Sequence, residues 1–121
     1  MNRILLAGKD WQSRALIRAQ LLEEGFDVEA YETVREALDS LGTSPRAPDL
    51  CLADITESDD PAADVEALAA GARNLPVWII ASHAFIADRG LRRRGFEMIL
   101  LRPVDVGELV EQIKRRLERE K

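Results

Sequence analysis

The stretch Leu50-Cys51-Leu52-Ala53-Asp54 decides the fold, because four apolar residues in a row end at a carboxylate. An apolar run without polar alternation is typical of a strand that is buried on both faces. The runs Val77–Ala81 and Met98–Leu101 have the same property. Strands without a polar face need helices on both sides of their sheet, so these runs predict a parallel sheet in an α/β domain.

Two further strands and five helices are predicted around these runs. Residues 3–7 form a short apolar run, and residues 26–31 alternate apolar and polar side chains as a strand near a sheet edge does. Helical spacing covers residues 11–24, 33–41, 61–73, 84–94 and a last segment after Pro103. Thr33 with Glu36 forms a capping box at the start of the second helix.

Two of these helices carry apolar stripes that we expect to face the core. Side chains spaced three and four residues apart lie on one face of a helix. The stripe of the first helix consists of Ala15, Leu16, Ala19 and Leu22. The stripe of the last helix consists of Val106, Leu109, Val110, Ile113 and Leu117.

The alternation of strands and helices predicts a single domain over residues 1–121. Right-handed crossovers lead to a five-stranded, doubly wound parallel sheet with helices on both faces, in the flavodoxin-like order 2-1-3-4-5. Such sheets place their working site at the carboxyl ends of the strands, near the switch between strands 1 and 3. The expected crevice is lined by Gly8, Lys9, Asp10, Asp54, Ser82 and Arg102.

The composition argues against several classes of protein. Of the 121 residues, 46% are hydrophobic and 32% charged, with a net charge of −5, which is unlike a disordered chain or a non-specific nucleic-acid binder. No apolar run approaches the roughly 18 residues of a membrane span, and no signal peptide is recognisable, so we expect a cytoplasmic protein. The lone Cys51 fits a reducing compartment, and one His with one Cys argues against a transition-metal site.

An ordered set of short motifs resembles the receiver domain of bacterial two-component response regulators. The resemblance spans nearly the whole chain. Its landmarks are Ile4-Leu5-Leu6-Ala7, Glu24-Gly25-Phe26, Pro48-Asp49-Leu50-Cys51-Leu52-Ala53-Asp54-Ile55, Leu75-Pro76-Val77, Gly95-Phe96 and Leu101-Arg102-Pro103-Val104-Asp105. The resemblance implies a role in phosphorelay signal transduction, and we expect no enzymatic activity.

The resemblance also implies a role for the ends of the first and third strands. Receivers carry two adjacent acids after strand 1, which hold Mg²⁺, and these positions fall on Gly8 and Lys9. The phosphoacceptor position falls on Asp54. The acceptor is therefore the one intact element of this part of the pattern.

The last two strand ends depart from the receiver pattern as well. The Thr or Ser position after strand 4 falls on Ala81, with Ser82 next to it. The Lys that precedes Pro after strand 5 is replaced by Arg102, and the aromatic switch position falls on Ile99. The resemblance thus supports a receiver fold better than it supports the phosphoryl-transfer chemistry of receivers.

The charges of the expected pocket predict a degenerate receiver, or pseudo-receiver. Lys9, Asp54 and Arg102 sum to a positive charge, and adding Asp10 brings the sum to zero. Mg²⁺ needs oxygen ligands, usually carboxylates, so a Lys at a ligand position should repel it. We expect no cofactor, with Lys9 in the cation's place and paired with Asp54, and Arg102 as a second, bidentate partner.

Several alternatives stay open from the sequence. The chain could be a phospho-accepting switch in which Asp54 is phosphorylated and Asp10 and Asp54 hold Mg²⁺. For Asp10 the sequence favours a role as the cap of the first helix, whereas Ser82 could replace the missing hydroxyl or cap the fourth helix. A third reading is the regulatory domain of a longer transcription factor.

A basic cluster on the predicted fourth helix has two interpretations. Arg89, Arg92 and Arg93, together with Arg94, form either a solvated helix end that complements the helix dipole or a docking face. The resemblance implies an output surface on the fourth helix, fifth strand and fifth helix, which includes Ile99. Expected partners are a signalling protein or histidine kinase and a second copy bound through helices 4 and 5, with no nucleic acid and no membrane.

Overall fold

The structure is a computed structural model that describes residues 1–87 and 91–118. It alternates strands and helices along the chain, which confirms the predicted α/β class. The elements are β1 (Arg3–Gly8), α1 (Trp11–Glu23), β2 (Asp27–Tyr31), α2 (Val34–Leu41), β3 (Leu50–Asp54), α3 (Pro61–Gly71), β4 (Val77–Ala81), α4 (His83–Ala87), a 3₁₀ helix (Leu91–Arg94), β5 (Met98–Leu101) and α5 (Val106–Glu118).

The strands form one sheet in the order β2-β1-β3-β4-β5, and every neighbouring pair is parallel. This confirms the flavodoxin-like order. Because all strands run in one direction, their carboxyl ends meet at one edge of the sheet. The register places Gly8 opposite Asp54, and Asp54 opposite Ile80, so the end of β3 lies between β1 and β4 at that edge.

Each face of the sheet has its own apolar core. One core joins Cys51 and Ile79 to side chains of α2 and α3, and the other joins Leu52 and Ile80 to side chains of α1 and α5. β3 and β4 are buried along their whole length, which explains why their sequences lack polar alternation. Burial raises the pKa of the Cys51 thiol to about 12, so this thiol stays protonated and unreactive.

The first helix turns a different face to the core than the sequence predicts. Its buried side chains are Ile17 and Leu21. The expected stripe is exposed instead, and it comprises Ala15, Leu16, Ala19 and Leu22. The prediction was wrong because apolar spacing does not tell which of two apolar faces meets the sheet. Packing of α1 against β1, β2 and α5 sets that rotation.

The last helix has the predicted orientation. Its buried side chains are those of Leu109, Val110, Ile113 and Leu117, and Val106 is half-buried. This stripe is the only one of the two predicted stripes that faces the core. None of the helices in the described ranges is long and apolar enough to cross a membrane.

The predicted fourth helix is wrong as a single element over residues 84–94. α4 spans His83–Ala87, the 3₁₀ helix follows at Leu91–Arg94, and residues 88–90 lie outside the described part of the chain. The 3₁₀ helix brings Leu91 into the core. Gly95 then turns the chain with a φ of 89°, a backbone conformation that residues other than Gly rarely adopt. β5 is only half-buried, unlike β3 and β4.

Candidate functional site

The candidate site lies where β1, β3 and β5 end. Asp54 closes β3 beside Gly8 and is buried, with 9% of its surface exposed. Arg102 follows β5, where its backbone N–H donates to the carbonyl of Ala81 at 3.1 Å. The parallel register therefore brings residues from distant parts of the chain to one carboxylate.

Arg102 is the counter-charge of Asp54. Its Nη2 donates to Oδ2 of Asp54 and forms an ion pair with it. The other carboxylate oxygen accepts the backbone N–H of Thr56 at 3.0 Å. Both oxygens of this buried carboxylate thus have a donor, which is what burial of a charge requires.

The predicted bidentate geometry of Arg102 is wrong. Only Nη2 contacts Asp54, and the same nitrogen lies 3.3 Å from Oγ of Ser13 in α1. Nε of Arg102 is buried and has no hydrogen-bond partner among the described residues. The guanidinium therefore joins β3 to α1 through a single nitrogen.

Lys9 pairs with a different carboxylate than the sequence predicts. Its Nζ forms an ion pair with Asp59 in the loop after β3, and not with Asp54. The hydrogen bond and the charge of Asp59 raise the pKa of Lys9, with smaller contributions from Glu32 and Glu57. The prediction failed because the exposed ammonium turns toward the acidic loop, while Arg102 already neutralises the buried carboxylate.

Asp10 caps the first helix, which confirms one of its two predicted roles. Its carboxylate accepts the backbone N–H of Gln12 and the hydroxyl of Ser13, each at 3.1 Å. Arg14, one turn into α1, donates to the carbonyl of Gly8. The contacts of Asp10 with Gln12 and Ser13 and of Arg14 with Gly8 therefore fix the end of β1 against the first turn of α1.

The end of β4 offers a second cap. Ala81 is buried and carries no hydroxyl, and Oγ of Ser82 accepts the backbone N–H of Phe85 at 3.3 Å. This contact bears out the capping role of Ser82. Ser82 therefore caps α4, and its hydroxyl makes this contact rather than one with Asp54.

The predicted output residues are described only in part. Arg89 lies outside the described residues, and so do the side chains of Arg92 and Arg93. Ile99 is half-buried and packs against the core between α2, α3 and the sheet. The fourth arginine of the cluster, Arg94, pairs with Glu66 of α3 at 2.6 Å, and that hydrogen bond lowers the pKa of Glu66.

The two carboxylates that the phospho-accepting alternative assigns to Mg²⁺ already have partners within the protein. Asp10 is engaged by α1, and Asp54 is engaged by Arg102 and Thr56. Within residues 1–87 and 91–118, no group of three or more His, Cys, Asp or Glu side chains is placed to hold a metal ion. Mg²⁺ demands near-octahedral oxygen coordination, and the arginine occupies one side of the carboxylate that would supply it.

Sequence reasoning missed the acidic side of the site. An open cleft of about 510 Å³ lies beside Asp54, between the loops after β1, β2 and β3. Its acidic lining comprises Glu32, Asp54, Asp59, Asp60 and Asp64. The polar run after β3 was visible in the sequence, but loop geometry decides which of its acids turns toward Lys9.

No protein-family profile matches this sequence, and no curated protein sequence matches it. Solved structures do match over nearly the whole chain. The receiver domain of NtrX from Brucella abortus has a TM-score of 0.78 at 26% identity, with 95% of this chain and 98% of that chain covered. A CheY-like response regulator receiver domain protein from Methanospirillum hungatei JF-1 has a TM-score of 0.81 at 22% identity, with 98% and 95% covered.

A third structure gives the same result over both full lengths. The Francisella response regulator 1452 receiver domain has a TM-score of 0.79 at 20% identity, and 100% of each chain is covered. The order of the five parallel strands and the alternation with helices agree with this likeness. The chain has the fold of response-regulator receiver domains.

Proposed function

We propose that the chain is a receiver-like signalling module that acts through protein–protein contacts and does not use Mg²⁺-dependent aspartyl phosphorylation. The observation that carries the proposal is the ion pair between Arg102 and the buried Asp54. The guanidinium holds one oxygen of the carboxylate that would have to attack a phosphoryl group, and the backbone N–H of Thr56 holds the other. The candidate acceptor is therefore already neutralised and positioned by the protein itself.

The charges around the pair support this reading. Phosphoryl transfer depends on positioning and on neutralising the charge of the transferred group, which a metal ion supplies in receivers. Here Gly8 and Lys9 stand where the resemblance expects the metal-binding acids, and Lys9 is held by Asp59. A pocket that contains its own cations has less need of Mg²⁺ and binds it poorly.

The alternative is a phospho-accepting switch that uses Asp54 with Asp10 as its strand-1 acid. The position of Asp54 at the end of β3 favours it. The capping contacts of Asp10 count against it, because binding a metal would cost α1 its cap. In this alternative Arg102 would have to leave Asp54 before each phosphoryl transfer.

The experiment is a Mg²⁺ titration followed by addition of acetyl phosphate. Trp11 is exposed beside Lys9 and Asp10, so its fluorescence reports binding at this edge. We expect no saturable Mg²⁺ response and no phosphate on the protein that is released by hydroxylamine or alkali, as an aspartyl phosphate would be. Saturable binding together with labelling that disappears in Asp54→Asn would overturn the proposal in favour of the switch.

A matched variant tests whether the lost acids are the cause. The variant Gly8→Asp/Lys9→Asp/Arg102→Lys restores two carboxylates to the pocket and replaces the planar guanidinium with an ammonium group. A Cβ at position 8 would lie 3.4 Å from Cβ of Asp54, an ordinary contact, so the aspartate fits. We expect this variant to bind Mg²⁺ and to accept phosphate at Asp54, while the single variant Arg102→Lys does not.

The proposal includes an output surface on α4, β5 and α5, with a signalling protein or histidine kinase as partner. The half-buried β5 ends at Leu101, which is 41% exposed, so apolar surface is present there. A homodimer that uses this surface of helices 4 and 5 is a further prediction. That the domain belongs to a longer regulatory protein also stays a prediction. Leu101→Lys should abolish such a dimer in light scattering, and a monomer at every concentration would contradict it.

A further inference from the structure

The first helix presents an apolar strip to solvent. Trp11, Leu16 and Leu22 are 65%, 50% and 41% exposed, and Ala15 and Ala19 lie exposed between them. Three of the five large hydrophobic residues that are exposed in the described chain thus lie on α1. A contiguous apolar surface on a folded domain is typical of an interface.

The strip points away from the sheet. At about 100° per residue, Ala15, Ala19 and Leu22 lie opposite the buried face of Ile17 and Leu21. Trp11 and Arg18 border the strip on one side, and Leu16 and Glu23 border it on the other. Each border therefore consists of one apolar and one charged residue, in the same order along the helix.

The two charged residues of the borders have no partner within the domain. Arg18 and Glu23 are exposed, and neither makes an ion pair or a side-chain hydrogen bond with any described residue. By contrast, Arg14 of the same helix donates to the carbonyl of Gly8, and Glu24 just beyond it pairs with Lys114 at 3.3 Å. Among the charged residues of α1, the two next to the apolar strip are therefore the ones that remain for an external partner.

The spacing of the borders matches a parallel pair of identical helices. In such a pair, a residue at one border faces the residue five positions later at the opposite border of its partner. Trp11 and Leu16 are five positions apart, and so are Arg18 and Glu23. We propose that α1 forms a two-fold, parallel homodimer in which Trp11 packs on Leu16 and Arg18 pairs with Glu23 of the second copy.

The charges favour this orientation over the reverse one. In an antiparallel pair, each border faces the same border of the second copy, so neither Arg18 nor Glu23 would meet an opposite charge there. In the parallel pair each ion pair and each apolar pair occurs twice. The alanines at positions 15 and 19 lie at the centre and allow the two helices to approach closely.

The interface is small, so the dimer is weak. From Trp11 to Leu22 the strip covers about three helical turns, or roughly 17 Å. A contact of this length buries less than the area of a stable complex. Association should therefore appear only as the protein is concentrated, between about 10 µM and 1 mM.

Charge reversal at the borders is the direct test. In sedimentation equilibrium, we expect Arg18→Glu and Glu23→Arg each to weaken association about tenfold, and the double variant to restore it. Arg35→Glu on α2, across the sheet, is the matched control and should leave association unchanged. A wild-type chain that stays monomeric at about 1 mM, or a double variant as weak as the single ones, would overturn the proposal.

A cysteine at position 22 tests the orientation. In a parallel pair Leu22 meets Leu22, so Leu22→Cys should form an intermolecular disulfide under mild oxidation; Cys51 is buried and does not compete. Failure of the dimer to form this cross-link would show that the interface is not a parallel pair of α1 helices. Loss of the dimer in Leu101→Lys but not in Arg18→Glu would place the interface on another surface. Arg18, Leu22 and Glu23 do not line the cleft beside Asp54, so the result from these α1 variants is independent of the Mg²⁺ experiment.

Discussion

The two edges of the sheet each contain an arginine that pairs with a carboxylate, but the two pairs differ in burial. At the carboxyl edge, Arg102 neutralises Asp54, whose side chain is almost fully buried. At the amino edge, Arg116 makes two hydrogen bonds of 2.8 Å to Glu97, whose side chain remains about one-third exposed. Glu97 also accepts the indole N–H of the buried Trp78 at 2.7 Å.

The difference in burial determines how much each carboxylate depends on its arginine. At the amino edge, the pair fastens the end of α5 to the start of β5, and water shares in solvating it. At the carboxyl edge, Asp54 itself is almost fully buried, so it depends on the guanidinium for its charge compensation. Under the proposed function, the pair at the amino edge only stabilises the fold, whereas the pair at the carboxyl edge also keeps Asp54 from accepting a phosphoryl group.

Arg102→Ala should cause the largest loss of stability among the variants that compare the two edges. Removing the cation leaves a buried carboxylate uncompensated, so we expect a loss of about 2–3 kcal/mol in the free energy of unfolding, measured with urea. In Asp54→Asn/Arg102→Ala the loss should be smaller than the sum of the two single losses. Simple additivity would mean that the two side chains do not interact.

Glu97→Gln should have the next largest effect, about 1–2 kcal/mol, because two charge-assisted hydrogen bonds weaken. The hydrogen bond from Arg116 holds the pKa of Glu97 below its ordinary value of 4.5, with a smaller lowering by Trp78 and an opposing effect of burial.

A lowered pKa in the folded state adds stability that is present above the unfolded pKa and lost as the pH falls through the folded one. The wild-type chain should therefore lose more stability than Glu97→Gln as the pH falls below 4.5, with Trp78 fluorescence as the signal of unfolding. Parallel pH profiles would refute this role.

Asp10→Ala tests the cap at the carboxyl edge. The variant loses the acceptor for Gln12 and Ser13, so we expect a loss of about 1 kcal/mol in thermal or urea unfolding. Asp10→Asn retains a capping oxygen and should stay close to the wild type. A loss that appears only when Mg²⁺ is present would instead assign Asp10 to a metal site.

Lys9→Ala should have the smallest effect. Lys9 and Asp59 are both exposed, so solvent screens their ion pair, and we expect the smallest change in the free energy of unfolding among these variants, with no change at high salt. The raised pKa of Lys9 follows from this pair, so Asp59→Asn should return it toward 10.5 in an NMR titration. A loss as large as that of Arg102→Ala would remove the distinction between exposed and buried pairs at this edge.

The part of the site that lies on strand ends was predictable, whereas the pairing of its charges was not. Asp54 and Arg102 follow apolar runs, and the parallel sheet brings such strand ends together whatever the loops do. Lys9 has several acids within reach, and the loop after β3 decides that Asp59 is its partner. The cap by Asp10 was predictable because it depends on neighbours two and three residues away.

The amino-acid sequence by itself determined the α/β class, the strand order and the position of Asp54 at the working edge. Apolar runs and short connections suffice for these, since they restrict the chain to a parallel sheet with right-handed crossovers. Only the tertiary structure decided the rotation of α1, the division of α4 and the choice of partner for each charge. Those features depend on contacts between segments that are distant in the sequence, where several arrangements satisfy the same local pattern.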